Sequence, residues 1–255
     1  MKTVSPFAPR ALRLALAMPL ALAIAACNGG NDAATGGAAE GQPVAAVPPP
    51  AGQQWSEVAS VTPEGGYLQG NPNAPIKLVE YGSLTCPACA AFSAAATAPL
   101  EEEYINSGKV NFELRSFLIH GPIDLALTRL IECGEPGAVH PRATQVWANL
   151  DGILDRVQSV QPQLEAAMQL PPNQRFVAFG EAAGLYEFFA ARGLSETQAR
   201  QCLADTAALE RLANNSQSFG EDDVTGTPTF FLNGQKLEEN QWQGIEAALQ
   251  RAGAR

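Results

Sequence analysis

Ile76-Lys77-Leu78-Val79-Glu80-Tyr81-Gly82-Ser83-Leu84-Thr85-Cys86-Pro87-Ala88-Cys89-Ala90-Ala91-Phe92 joins three kinds of sequence in one run. An apolar segment of strand type enters, a short Gly/Ser turn follows, and two cysteines open an alanine-rich segment. Cys86 therefore falls near a helix N-terminus, and Pro87 takes the first helical position, where its missing N–H costs nothing. Unpaired amide donors and the helix dipole at such a place favour a thiolate over a thiol. Disulfide exchange needs an exposed sulfur of low pKa that attacks and a nearby second thiol, here Cys89, that resolves the mixed disulfide.

A Cys-x-x-Cys pair has two rival readings, half of a zinc site or a structural disulfide. Structural zinc takes four ligands, usually from two such pairs. The other cysteines stand alone, and the only histidines are His120 and His140. Strand followed by helix is the setting of a redox motif. Neither a metal nor an organic cofactor is expected.

The 255 residues allow one or two domains and a core able to fold unaided. A net charge of −10, with scattered Lys and Arg, excludes a nucleic-acid surface. At the start, Lys2, Arg10 and Arg13 form a basic region ahead of the apolar run Leu14 to Ala26, which is too short for a confident membrane span. It ends Ile24-Ala25-Ala26-Cys27, which resembles the lipobox of bacterial lipoproteins. Residues 1–26 are then a signal peptide and Cys27 is the lipidated first residue of the mature chain; ordinary cleavage at a nearby small residue is the alternative. The expected location is the periplasm, anchored by lipid to a bacterial membrane. Disulfides persist there, and Cys86, Cys89, Cys133 and Cys202 remain as two possible pairs.

Residues 27–54 are rich in Gly, Ala, Pro and Gln and read as a flexible tether. Residues 55–121 begin with a lead-in segment and a turn-rich stretch to Pro75, then enter a strand at Ile76 to Tyr81. That strand is apolar on both parities apart from Lys77 and Glu80, as in a central strand. The cysteine helix is expected to kink at Pro99 and to end near Ser107-Gly108, before a second strand from Val110 to Ile119. Strand, helix and strand in succession imply a parallel sheet. Residues 122–223 read as an all-α insertion, in which Ser195 and Gln198 form a capping box. Residues 224–255 give a turn, a strand, an Asn233-Gly234 hairpin, a second strand and a closing helix from Trp242 to Ala252.

Gly226-Thr227-Pro228 immediately precedes a strand, and proline is awkward inside a sheet. A cis bond would explain it; a trans-Pro in an ordinary loop is the alternative. Together with the cysteine motif, these features resemble the DsbA-like branch of the thioredoxin superfamily. The resemblance spans about Ile76 to Ala252. It rests on Glu80-Tyr81-Gly82-Ser83-Leu84-Thr85-Cys86-Pro87-Ala88-Cys89, on the helical insertion, and on Gly226-Thr227-Pro228-Thr229-Phe230-Phe231-Leu232-Asn233-Gly234.

The resemblance implies an α/β chain: a thioredoxin fold with a large all-α insertion. It makes Cys86 the nucleophile and Cys89 the resolving thiol. Thr227 and cis-Pro228 would lie against the sulfurs, with the Thr227 backbone pairing to an extended substrate. Glu80 would be a buried acid of raised pKa that relays a proton with Cys89, rather than a surface Glu at a strand edge. Cys133 and Cys202 would form a structural disulfide clamping the helices, as in some alphaproteobacterial relatives, rather than two separate thiols. Many family oxidases carry His between the cysteines; Ala88 stands there in this chain, so Cys86 is expected to be less acidic and the disulfide less oxidising than theirs. The implied function is an exported thiol–disulfide oxidoreductase that oxidises cysteine-containing, unfolded or extended proteins and is recycled by a membrane redox partner. Disulfide reduction or isomerisation by the same cysteines, and a non-catalytic binding lipoprotein, are the alternatives. His120 is expected to cap or flank the second strand, and Arg115 and Glu101-Glu102-Glu103 to be solvated or helix-end charges. Trp147, Phe188, Phe189, Phe230 and Phe231 are expected in the core.

Overall fold

The computed structural model describes residues 41–221 and 224–255. The expected signal peptide, Cys27, the first part of the expected tether and the last two residues of the predicted insertion lie outside them. Six strands form one sheet in the order β1-β2-β4-β3-β5-β6. These are β1 Ala59–Val61, β2 Tyr67–Gly70, β3 Ile76–Gly82, β4 Val110–Ser116, β5 Thr229–Leu232 and β6 Gln235–Lys236.

Central β3 pairs in parallel with β4, from Ile76↔Val110 to Gly82↔Ser116, and antiparallel with β5, from Leu78↔Leu232 to Tyr81↔Thr229. The parallel pairing expected from sequence thus holds for the single strand–helix–strand unit, whose crossover it requires. Every other pair is antiparallel. β1 and β2 arise from residues read as lead-in and turn. They are short and set among glycines, and β2 gains its place by pairing along β4, Tyr67 opposite Leu114.

The two parities of β3 meet different partners. Ile76 and Leu78 pack with Phe92 of α1 (Pro87–Pro99), Phe230, and Trp242, Ile245 and Leu249 of the closing helix, while Val79 and Tyr81 pack with Phe219 and Phe231. After Pro99, which has no N–H to continue the α-helical ladder, α1 passes into π-helical turns over Leu100–Ile105. The expected kink is a change of helix type. β4 ends at Ser116 rather than Ile119, and Gly121, at φ 58°, turns the chain into the next helix.

That helix, α2 (Pro122–Ile131), opens the insertion. It is followed by α3 (Val139–Ala148), α4 (Leu150–Ser159), α5 (Gln161–Met168), α6 (Pro172–Ala182), α7 (Leu185–Ala190), α8 (Glu196–Ala204) and α9 (Thr206–Glu221); α10 (Trp242–Arg251) closes the chain. Leu127, Leu130, Ile131, Leu185, Phe189 and Leu203 are buried in one core that also takes in Leu84, Cys86 and Cys89. Ser195 and Gln198 make the reciprocal bonds of a capping box at the start of α8. Of the aromatics expected inside, Trp147, Phe189 and Phe230 are buried, whereas Phe188 and Phe231 are half-buried and Arg192 stacks 3.6 Å from the Phe188 ring centre.

Two expectations need correction. Residues 41–54 form no helix or strand, but they are not a free tether. The Gly41 N–H donates to the Arg251 carbonyl (2.6 Å), Val44 to Gly253 (2.9 Å), Val47 to Ser107 (2.9 Å), and the buried Trp55 indole to the Val47 carbonyl (2.8 Å). Arg115 is not a solvated charge either: its guanidinium donates to Glu113 (2.8 Å) and to the Tyr81 hydroxyl (2.9 Å).

Cys133, just beyond α2, is joined to Cys202 of α8, with Cα atoms 6.0 Å apart and a sequence separation of 69. A loop of that size restricts the unfolded chain by roughly 4 kcal/mol in the chain-entropy treatment. Replacing both cysteines by Ser is expected to lower unfolding stability by about 2–4 kcal/mol in denaturant titration. Unchanged stability would show that the bridge clamps nothing.

Candidate functional site

Cys86 is the N-cap of α1, with extended backbone angles, and Pro87 follows as the first helical residue. Its sulfur accepts the Cys89 N–H at 3.3 Å. As a thiol it also donates to the carbonyl of Thr227, 141 residues further along, at 3.3 Å. The Thr227–Pro228 bond is cis. The structure thus brings together Cys86, Cys89, Thr227 and Pro228 from opposite ends of the fold. It also corrects one expectation: Cys86 is only 4% exposed and Cys89 is fully buried, because the Thr227–Pro228 loop and the insertion core cover them. Both are free thiols.

Burial and hydrogen bonding separate the two sulfurs. The Cys89 side chain, donating to Cys86, is the largest influence that brings the Cys86 thiol down to about 5. Burial opposes this, and the Thr227 side chain and the amides of Cys89 and Ala88 add to the lowering. The Thr227 hydroxyl is buried and has no hydrogen-bond partner. Acidity here comes from donors on the helix start and the loop, without an imidazole at position 88. Cys89 moves the other way, pushed far up by burial, by its bond to Cys86 and by the charge of Glu80.

Glu80 is 1% exposed and sits on β3 between Leu114 of β4 and Phe230 of β5. Burial, with a smaller contribution from the Cys86 charge, raises its carboxyl to about 8. Its Oε1 has no hydrogen-bond partner. Gly82 leaves room for that oxygen, since a Cβ there would lie 2.9 Å from it. A cavity of about 30 Å³, large enough for one water, borders Glu80, Phe92, Ser93 and Trp147. A larger groove of about 890 Å³ runs from Pro87 and Ala90 of α1 to Trp147, Leu150, Ile153 and Phe188 of the insertion. Among the described residues, no three His, Cys, Asp or Glu side chains gather as a metal site would require.

Residues not singled out from sequence surround the turn before Cys86. Asp124 of α2 bonds Ser83, Leu84 and Thr85, and the Trp147 indole donates to the Ser83 carbonyl at 2.9 Å. His120, expected to cap or flank β4, lies with Nδ1 2.8 Å from the Thr85 hydroxyl. The signal for Asp124 was its position: it lies three, four and seven residues before Leu127, Thr128 and Ile131, an acid in the buried face of its helix.

A family model described as thioredoxin matches residues 62–251. The chain is 25% identical over 190 residues to a protein-disulfide oxidoreductase of Rickettsia bellii (strain RML369-C), covering 74% of this chain and 65% of that one. It is 27% identical over 208 residues to the Na(+)/H(+) antiporter NhaA 1 of Mycobacterium sp. (strain KMS), covering 81% of this chain but spanning only 29% of the antiporter's length. The crystal structure of a protein-disulfide isomerase from Novosphingobium aromaticivorans superposes with a TM-score of 0.65 at 25% identity, over 72% of this chain and 94% of that one. The chain belongs to the thioredoxin family, in the DsbA-like form of its fold.

Proposed function

We propose that the protein is an exported thiol–disulfide oxidoreductase that oxidises cysteine-containing, extended protein segments, using Cys86 and Cys89. The observation that carries this reading is the asymmetry of the two sulfurs, Cys86 low and Cys89 high. A thiolate held in the reduced enzyme stabilises that form and makes the disulfide an oxidant. The names of the Rickettsia and Novosphingobium relatives support the same chemistry.

In the cycle, a substrate thiolate attacks the Cys86 sulfur of the Cys86–Cys89 disulfide. The substrate–Cys86 bond forms, the Cys86–Cys89 bond breaks, and Cys89 leaves. Because Cys89 is buried and basic, it needs a proton as it leaves, and the Glu80 carboxyl is the buried acid able to give one. A second substrate thiolate then attacks the substrate sulfur of the mixed disulfide, and Cys86 departs as a stable thiolate. The substrate loses two electrons and the enzyme gains them. The Thr227 backbone, already at the Cys86 sulfur, is positioned to pair with the extended substrate. Reoxidation calls for a membrane redox partner, and Cys27 would supply the lipid anchor that keeps the enzyme near it.

Three outcomes are expected. Absorbance of the thiolate in the reduced protein should titrate near pH 5, and Cys86→Ser should remove both the titration and the oxidation of a reduced model peptide. Folded Cys86 lies below an ordinary thiol, so its stabilisation of the reduced fold is full above the unfolded thiol pKa near 8.5 and is lost as pH falls toward 5. The reduction potential should therefore fall by about 60 mV per pH unit below that midpoint and about 30 mV per unit above it. A midpoint near 8.5 would remove the basis for an oxidant. Glu80→Gln should slow formation of the mixed disulfide at Cys86 by about a hundredfold in stopped-flow, leaving the Cys86 midpoint low; an unchanged rate would end the proton-donor role. Cys27→Ser should abolish incorporation of labelled palmitate and release the protein from membranes, whereas labelling that survives the change would refute the anchor.

A further inference from the structure

The turn that presents Cys86 is held from the insertion by one buried carboxylate. Asp124 is the third residue of α2 and is 0% exposed. Its Oδ2 accepts the Ser83 hydroxyl at 2.6 Å, the Ile119 N–H at 2.9 Å and the Thr85 hydroxyl at 3.2 Å, and its Oδ1 accepts the Leu84 N–H at 3.2 Å. Three of these contacts converge on Oδ2 and one on Oδ1, at the start of α2, where the helix dipole favours an acidic side chain. Ser83, Leu84 and Thr85 are the three residues between β3 and Cys86, and Asp124 binds all of them. The Cys86 N–H closes the turn on the Ser83 carbonyl at 3.3 Å.

The proton arrangement extends the network to the surface. Ser83 gives its hydroxyl proton to Asp124, 2.6 Å away. Thr85 has one hydroxyl proton, which Asp124 at 3.2 Å, Ser83 at 3.0 Å or His120 Nδ1 at 2.8 Å can accept. Nδ1 of the exposed His120 lies 2.8 Å from the Thr85 hydroxyl, and the direction of that bond follows the His120 tautomer.

We propose that Asp124 is a positioning residue for disulfide exchange: by pinning Ser83-Leu84-Thr85 it sets the Cys86 sulfur against the amide donors of α1 and against Thr227. The residue touches neither sulfur and acts through the turn. A core acid that merely filled a helix end would need no bonds to three consecutive residues of another element. The proposal rests on the reading of Cys86 as the nucleophile.

The test compares the full-length reduced protein with Asp124→Asn, Thr85→Val and Ser83→Ala, measuring the thiolate midpoint by ultraviolet absorbance, oxidation of a reduced model peptide, and the thermal midpoint. Asn keeps one carbonyl acceptor but turns a second acceptor into a donor facing donors. It is expected to raise the Cys86 midpoint by a pH unit or more and to slow oxidation more than tenfold. Thr85→Val and Ser83→Ala, each removing one donor, are expected to shift the midpoint in the same direction by less, and they carry the test if Asp124→Asn does not fold. Lower thermal stability with an unmoved thiolate midpoint would make Asp124 only a core residue and overturn the proposal. A fall in the midpoint would also overturn it, because the sulfur would then feel the charge directly and not the turn. If wild-type Cys86 itself titrates as an ordinary thiol, the exchange reading has failed; a low wild-type midpoint shared by all three variants is failure of the positioning role alone.

Discussion

A sulfur at the mouth of a helix, accepting an N–H at 3.3 Å from the residue three places on, is the contact that the rest of this fold serves. The interaction is weak for one bond, but it is multiplied by further donors and by the exclusion of water. The Cys89 side chain adds its own lowering and the Thr227 side chain a smaller one, while burial penalises the charge. Each neighbour comes from a different part of the chain. β3 delivers the turn, α1 supplies the amides, and β5 fixes the loop that ends in Pro228. The parallel β3–β4 pair and the antiparallel β3–β5 pair keep these three in register.

The same arrangement explains why Glu80 is tolerated in the middle of a sheet. An unpartnered carboxylate oxygen in an apolar layer is costly as a charge and far less so as a neutral acid. Glu80 meets that constraint by carrying a carboxyl that burial raises to about 8, and in the proposed cycle its proton would go to the departing Cys89 thiolate. Asp124 solves the opposite problem. It is equally buried, but hydrogen-bond partners from the turn and from Ile119 surround it and tie it in place. The insertion is thus more than a cover over the site: α2 and α3 grip the turn before Cys86 through Asp124 and Trp147, while the Cys133–Cys202 bridge holds α2 to α8.

Features carried by short-range chemistry were legible in the sequence. The N-cap cysteine with Pro87, the Ser195 capping box, the central strand and the helical insertion each follow from residues within a few positions of one another. The proline before β5 could be read only beside the cysteine motif, since nothing local separates cis from trans. What escaped is long-range. β1 and β2 are too short to show a period, and they exist because β4 offers an edge. Residues 41–54 look like linker, yet their backbone finds carbonyl partners on α10 and near Ser107. Composition gave no sign that Cys86 would be covered, because the cover comes from Thr227. Arg115 looked solvated until β3 brought Tyr81 beside it. Asp124 did leave a trace, an acid on an apolar helix face, but its meaning required the turn that it binds.

The account stands on the claim that a low Cys86 pKa, achieved without histidine at position 88, makes the disulfide an oxidant. Equilibration of the Cys86–Cys89 pair with a glutathione buffer at neutral pH tests it most directly. The expected reduction potential lies well above the roughly −270 mV of thioredoxin and below the roughly −120 mV of the His-bearing DsbA. A value at or below that of thioredoxin would contradict it and make the protein a reductant.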